Sequence, residues 1–368
     1  MWLTNLHLPG NNSSWSLEIE DGKIASLSTD APPGHSIDLN GALALPGLIN
    51  SHDHLDFNLF PPLGNTRYDN YRQWGNDIHT ANKDEIQAIL NIPQPLRTRW
   101  GIYKNLLNGF TTVVNHGEYL PITEPTPITV FQNCHNLHSV GFGHNWRWQL
   151  NRPRKNAWPI VLHVGEGTDS IARDEISQLI RWNLFRRPLI GVHGVAMTEK
   201  QAARFKALVW CPASNYFLLD QTAPIKRLSP HTSILFGTDS TLTAPWDAWA
   251  HIRMALREVD ETDLLPMLTT NPANAWGLTD RGKIEKGLRA DLLITRNKSL
   301  ATLTPDDILL VIHQGQIVLF DPCLKNELTS RDHQQTSPGG KFVAGDFTSL
   351  QQEIKTYTSG YASPLLFC

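Results

Sequence analysis

The stretch Leu45-Pro46-Gly47-Leu48-Ile49-Asn50-Ser51-His52-Asp53-His54 sets the reading of the whole chain. An apolar run, broken at Pro46-Gly47, ends in two imidazoles separated by a carboxylate. Side chains two apart on an extended chain point the same way, so His52 and His54 share a face that suits one metal ion. Taken alone, such a pair is as readily structural or merely exposed as it is a ligand pair. Its weight depends on what the rest of the chain places beside it.

Downstream, apolar runs alternate with helical stretches. Thr111–Val114 ends in Asn115-His116-Gly117, Ile160–Val164 carries His163, and Leu189–Val192 ends at His193. Leu208–Cys211 ends at Pro212, and Ser233–Phe236 ends in Gly237-Thr238-Asp239. Ile128–Gln132 and His138–Phe142 are predicted as further short strands. Asn82 with Glu85, and Thr198 with Gln201, have the spacing of capping boxes that open helices. Ile171–Phe185 and Trp246–Val259 are predicted helical. Strands alternating with helices argue for a parallel sheet covered by helices. From His52 to Asp239 is 187 residues, about 27 for each of seven strand–helix steps, near the period of an eight-fold barrel. A doubly wound open sheet would call for a glycine-rich phosphate loop, and the sequence has no GxGxxG or P-loop match.

Before residue 45 and after residue 274 the pattern changes to short strands and turns. Trp15–Ile19 and Lys23–Leu27 flank the turn signal Asp21-Gly22, and Gly282–Ile284, Asp291–Ile294, Val311–Gln314 and Gln316–Phe320 follow near the other end. The two flanks, residues 1–44 and 275–325, are expected to meet in one small β domain beside a barrel of residues 45–274. Residues 326–368 are expected to be a tail packing on the body. Within it, polar Arg331–Lys341 reads as a loop and apolar Ser363–Cys368 as an end that docks back.

His163, His193 and Asp239 each fall at the C-terminal end of a different predicted strand, where residues of parallel barrel strands converge. Singly, each could be a hydrogen-bonded core histidine or a helix-capping aspartate. Their coincidence in register with His52 and His54 favours a metal site. Imidazoles with a carboxylate suit Zn²⁺ or Fe²⁺ better than Mg²⁺ or Ca²⁺, which take mostly oxygen ligands. Glu166, three residues beyond His163, has three open roles. It could be a fifth ligand, a carboxylate at a helix N-terminus, or the proton shuttle that hydrolysis requires.

The strings from Leu45 to His54, His163-Val164-Gly165-Glu166, His193-Gly194, Cys211-Pro212-Ala213-Ser214-Asn215, Phe236-Gly237-Thr238-Asp239-Ser240 and Gly282 to Leu293 occur in this order. In them the chain resembles the amidohydrolase superfamily, in its deaminase and chlorohydrolase branch that includes cytosine deaminase. The resemblance implies an α/β fold, a distorted TIM (β/α)8 barrel with a small β-sandwich domain built from the N- and C-terminal flanks. It implies a hydrolase acting on carbon–nitrogen bonds other than peptide bonds. One divalent metal, Zn²⁺ with Fe²⁺ as the alternative, would sit on His52, His54, His163 and Asp239. Glu166 would be the general acid and base. His193 would orient the attacking hydroxide and the developing charge rather than ligate, and Asp239 would also take a proton from water. Relatives with two metals bridge them through a carboxylated lysine. The nearest candidate here, Lys155, lies in the polar run Asn151–Asn156, so one metal is expected.

The reaction so implied is attack of metal-bound hydroxide on an amino-bearing carbon of a small nitrogen heterocycle or amidine, releasing ammonia. Ring opening of a cyclic amide, as in imidazolonepropionase-like relatives, is the alternative; a barrel that binds without turnover is a second. His116, Trp146 and Asn215 are candidates to contact the substrate. The 48 residues from Asn115 to His163 are few for about two strand–helix units.

Composition narrows the partners to small molecules. Lys and Arg number 32 against 35 Asp and Glu, a net charge of −3 that offers nothing to nucleic acid or acidic membranes. The four cysteines form no CxxC pair, which excludes a zinc ribbon and a thioredoxin-type motif. Met1–Leu8 lacks the basic-then-apolar order of a secretory signal, and no apolar run approaches the ~18 residues of a membrane span. A cytoplasmic enzyme is expected, with a homodimer as an option because this barrel type often dimerises.

Overall fold

The computed structural model describes residues 1–328, 332–337 and 340–358, the side chain of Asn12 excepted. The expected docking of Ser363–Cys368 lies outside the described residues. The N-terminal flank forms β1 (Trp2–Leu8), β2 (Asn11–Glu20), β3 (Lys23–Ser28) and β4 (Ser36–Pro46). Eight shorter strands follow: β5 (Leu48–Asp53), β6 (Phe110–Asn115), β7 (Thr129–Phe131), β8 (His135–Ser139), β9 (Ile160–Val164), β10 (Leu189–His193), β11 (Ala207–Trp210) and β12 (Ser233–Phe236). The remaining strands are β13 (Leu292–Thr295), β14 (Ile308–His313), β15 (Gln316–Phe320), β16 (His333–Gln335) and β17 (Phe342–Ala344).

Strands β5 to β12 pair in parallel, and helices connect most of them, as alternating apolar runs dictate. The arrangement is TIM-barrel-like, but the ladder runs in two pieces, β5-β6-β7 and β12-β11-β10-β9-β8, rather than around a closed ring. At one seam β12 reaches β5 through the Asp239 N–H, which donates to the His52 carbonyl at 3.0 Å. At the other, between β7 and β8, no ladder is found among the described residues; the Asn136 amide of β8 instead reaches the chain leaving β6, donating to the Gly117 carbonyl at 3.0 Å. Between β6 and β7 the chain crosses without a helix, through Pro121, Pro125 and Pro127. Proline lacks the N–H a helix needs and clashes with the preceding turn, which explains how so few residues span this part of the barrel.

Strands of the N- and C-terminal flanks pair in one nine-stranded sheet of order β16-β17-β15-β14-β13-β4-β1-β2-β3. It curls so that a Cβ on Gly315 would lie 2.7 Å from Gly22, turn against turn. Its inner face buries a separate core that includes Leu3, Leu17, Ile37, Leu292, Ile312 and Phe320. Gly282–Ile284 is not a strand; nearby, the Gly287 N–H donates to the Ile24 carbonyl and the Ile24 N–H to the Leu288 carbonyl, pinning the segment that follows. The polar segment predicted as loop contributes β16. The helix Phe347–Tyr357 docks Phe347 between Trp100 and Tyr103, ring centroids 6.0 and 4.9 Å apart.

The passage from β4 to β5 aims the deciding stretch. A Cβ at Gly47 would collide with Thr111 and Asp291, so only glycine lets the strand pass there, while its N–H donates to the Asp291 carbonyl at 2.7 Å. From that point β5 enters the barrel and carries His52 and His54 to its C-terminal end. No helix among the described residues is long and apolar enough to cross a membrane.

Candidate active site

Parallel strands deliver their C-terminal ends to one side of the sheet, and there the imidazoles collect. The His163 Nε2 lies 3.4 Å from His52 Nε2 and 3.3 Å from His54 Nε2. The Asp239 Oδ1 stands 3.7 and 3.8 Å from the same two nitrogens of His52 and His54. His163 donates its Nδ1–H to the His138 carbonyl at 2.9 Å. This fixes the tautomer in which Nε2 is a bare lone pair, aimed at its two neighbours. Burial pushes the His52 imidazole down to about 4 and His163 well below its usual range, assisted by the surrounding imidazoles. This keeps the His52 and His163 rings neutral, the form that binds metal.

The donor set fits a divalent ion. Two nitrogens each about 2.05 Å from a tetrahedral zinc stand about 3.3 Å apart, the spacing of the Nε2 atoms here. Asp239 is fixed through both oxygens: its Oδ2 accepts from Ser214 Oγ at 2.9 Å and Thr243 Oγ1 at 3.1 Å, and its Oδ1, which accepts the Ser240 N–H at 2.8 Å, faces the histidines. Burial alone would raise this carboxyl. The hydrogen bond and charge of His52, with His54 and His193, hold it well below the usual range. Asp239 (φ 57°) and His193 (φ 72°) both occupy the left-handed region. Such non-glycine residues cluster at functional sites, where surrounding structure holds the strained backbone.

Glu166 lies beside this group, with its Oε1 3.5 Å from His193 Nε2. Burial, opposed by His193 and assisted by Asp239 and Glu175, raises its carboxyl to about 7. A group with that pKa can give or take a proton at neutral pH. His193 donates Nδ1–H to Asn215 Oδ1 at 2.9 Å, so its Nε2 is presented to Glu166. The structure therefore brings His52, His54, His163, Glu166, His193 and Asp239 together.

The other candidates are placed differently. His116 is buried with no hydrogen-bond partner for either ring nitrogen, its ring 4.5 Å from His163, 4.8 Å from His52 and 5.2 Å from His54. Asn215, expected at the substrate, is fully buried; its amide joins His193 to Thr222, so it orients His193 instead. Trp146, also expected there, packs in the main core under the Arg147 guanidinium, its ring serving the fold. Lys155 is exposed.

Sequence reasoning missed the polar groups beneath the site. Lys104 and Asn105, on the helix Gln94–Leu107, are buried with Asp53. Their one signal is a charged and an amide residue within the otherwise apolar run Ile102–Leu107. It also missed His138, whose exposed ring stands 5.4 Å from His163, and Phe57, stacked on His54 at 5.5 Å.

Residues 147–319 match the amidohydrolase family. A 5-methylthioadenosine/S-adenosylhomocysteine deaminase of Pyrococcus furiosus is 24% identical, over 82% of this chain and 90% of its own length. A 5'-deoxyadenosine deaminase of Methanothermobacter thermautotrophicus is also 24% identical, over 83% of this chain and 89% of its own. Among solved structures, an adenosine deaminase from Xanthomonas campestris with bound zinc superposes with a TM-score of 0.68, covering 97% of both chains at 16% identity.

Proposed function

We propose that the chain is a metal-dependent aminohydrolase of the amidohydrolase superfamily, releasing ammonia from an amino-bearing carbon of a small nitrogen heterocycle; the family match over residues 147–319 and the deaminase relatives support this reading. The first substrate class to try is the aminopurine nucleosides, which the names of two relatives contain. The observation that carries the reading is the convergence of three Nε2 atoms and the Asp239 carboxylate beside the Glu166–His193 pair.

In this reading His52, His54, His163 and Asp239 hold one divalent ion, with zinc preferred for a site of three imidazoles and one carboxylate. The ion would supply Lewis acidity toward water and substrate. Asp239, with Oδ2 tied to Ser214 and Thr243 and Oδ1 accepting the Ser240 N–H, turns the remaining lone pair of Oδ1 toward the histidines, where it would accept a proton. Glu166 carries that proton to the ring or leaving nitrogen, a task for which a carboxyl titrating near 7 is poised. His193, locked by Asn215 through Nδ1, faces Glu166 with Nε2; with a proton taken from Glu166, Nε2–H would donate to charge developing on the attacked carbon's oxygen. Phe57 and His138 offer flat surfaces against which a planar ring can lie. His116 faces the same cluster and is read as a substrate contact. Residues 1–44 with 275–325 are read as a β-sandwich companion to the barrel at 45–274, with 326–368 as a tail packing on the body.

The test is a substrate panel on zinc-loaded protein: adenosine, 5'-deoxyadenosine, methylthioadenosine, guanine, cytosine and a cyclic amide. Ammonia appearing in step with loss of one amine supports the reading. Ring opening without ammonia would make the chain a cyclic amide hydrolase. No turnover of any of them by metal-loaded protein would turn the reading toward a binding barrel.

A further inference from the structure

Lys104 is among the most deeply buried side chains of the molecule. Its Nζ donates to Asn58 Oδ1 at 2.8 Å, the Asp239 carbonyl at 3.1 Å, Asp53 Oδ2 at 3.2 Å and Thr238 Oγ1 at 3.4 Å. Asp53 is equally inaccessible; it accepts from Asn105 at 2.8 Å on Oδ2 and from Asn58 at 2.8 Å on Oδ1.

Asp53 sits between His52 and His54, so its side chain leaves the strand on the opposite face. Asp239 contributes a carboxylate toward the site and its own carbonyl to Lys104. One ammonium thus binds, from behind, both segments that present the cluster to the front. These segments lie 186 residues apart by number, from Asp53 to Asp239. The backbone at Asp239 is in the left-handed region, a conformation that needs external support. A buried ion pair is weak evidence for stability, because desolvation offsets its attraction, while its defined use is to fix geometry.

Resting on the metal-site reading above, we propose that Lys104, paired with Asp53, is a positioning residue that sets the spacing of the His52/His54 strand end against Asp239 and so tunes metal affinity. It touches neither substrate nor metal. The network carries the preorganisation: groups that orient metal ligands from outside typically change affinity about 10–100-fold when removed.

The experiment compares wild type with the neutral double variant Lys104→Met/Asp53→Asn, chosen because either single change leaves an unpaired buried charge. Full-length protein is stripped with chelator, its fold checked by circular dichroism and thermal melting, and Zn²⁺ affinity measured by competition with a chromophoric chelator. The expected result is a folded double variant whose zinc affinity is about 10–100-fold weaker. Affinity within about twofold of wild type would overturn the proposal, since matrix effects of this kind are expected to exceed that. A double variant that cannot fold would overturn it as well, because the pair would then serve the fold rather than the site. If wild type itself binds no stoichiometric zinc, the metal-site reading falls and this inference with it; wild-type binding with an unchanged variant removes only the role of Lys104.

Discussion

Replacing Glu166 by Gln should stabilise the metal-free protein while disabling it. Burial lifts this carboxyl from 4.5 to about 7 in the folded chain. A raised pKa means that the folded state holds the proton more tightly than the unfolded state. The contribution is fully present below pH 4.5 and is lost as pH climbs through 7. The gap of about 2.5 units, at ~1.36 kcal/mol each, makes ionised Glu166 cost about 3 kcal/mol above pH 7. Gln has the same shape and does not titrate, so the advantage of Glu166→Gln should be small at pH 5 and approach that figure at pH 7.5. For a chain of this length, with ~2.1 cal/mol/K of unfolding entropy per residue, the melting temperature should rise by about 4 °C. Turnover of the metal-loaded variant should fall by ~10²–10⁴-fold, the usual worth of general acid–base catalysis. Thermal melts of chelator-treated protein at both pH values, with single-turnover rates on reloaded protein, decide it. A carboxylate that merely caps the following helix would give the reverse: lower stability and intact turnover. Either half of that outcome refutes the role assigned to Glu166.

Two further substitutions separate holding the metal from using it. His54→Ala should lose zinc and activity together, whereas His193→Ala should keep zinc and lose turnover by ~10²–10³-fold, the scale of a lost charge-stabilising donor; elemental analysis of the same preparations checks both, and a zinc-free His193→Ala protein would make His193 a ligand. Asn215→Ala frees the His193 imidazole without touching the cluster, so kcat should drop about 10–100-fold with KM and zinc content nearly unchanged, read from steady-state kinetics beside a metal assay.

The resemblance in the sequence is borne out by the comparisons, and the reason is physical. Parallel strands end on one side, so His52, His163, His193 and Asp239 could be recognised as neighbours from their places at the ends of apolar runs alone. What escaped the sequence were side chains whose role depends on the third dimension. Lys104 reads as an ordinary helix lysine until the helix Gln94–Leu107 is seen to press it beneath Asp53. Asn215 reads as a polar group available to a ligand until its amide is found committed to His193 and Thr222. Trp146 opens the helix Trp146–Asn151 and turns into the core, since an aromatic residue near a site serves packing as readily as binding. The seam between β7 and β8 was invisible because β8 is tied past β7 to the end of β6, by the Asn136 side-chain amide rather than by a strand ladder.

The most direct test of the account is a titration. Chelator-stripped protein receives Zn²⁺ in increments while ammonia release is followed at saturating concentration of whichever aminated heterocycle the panel identifies. The account predicts that ammonia production rises linearly and breaks at one zinc per chain, with no activity before metal is added. A break at two equivalents, or heterocycle consumed without ammonia, would contradict it.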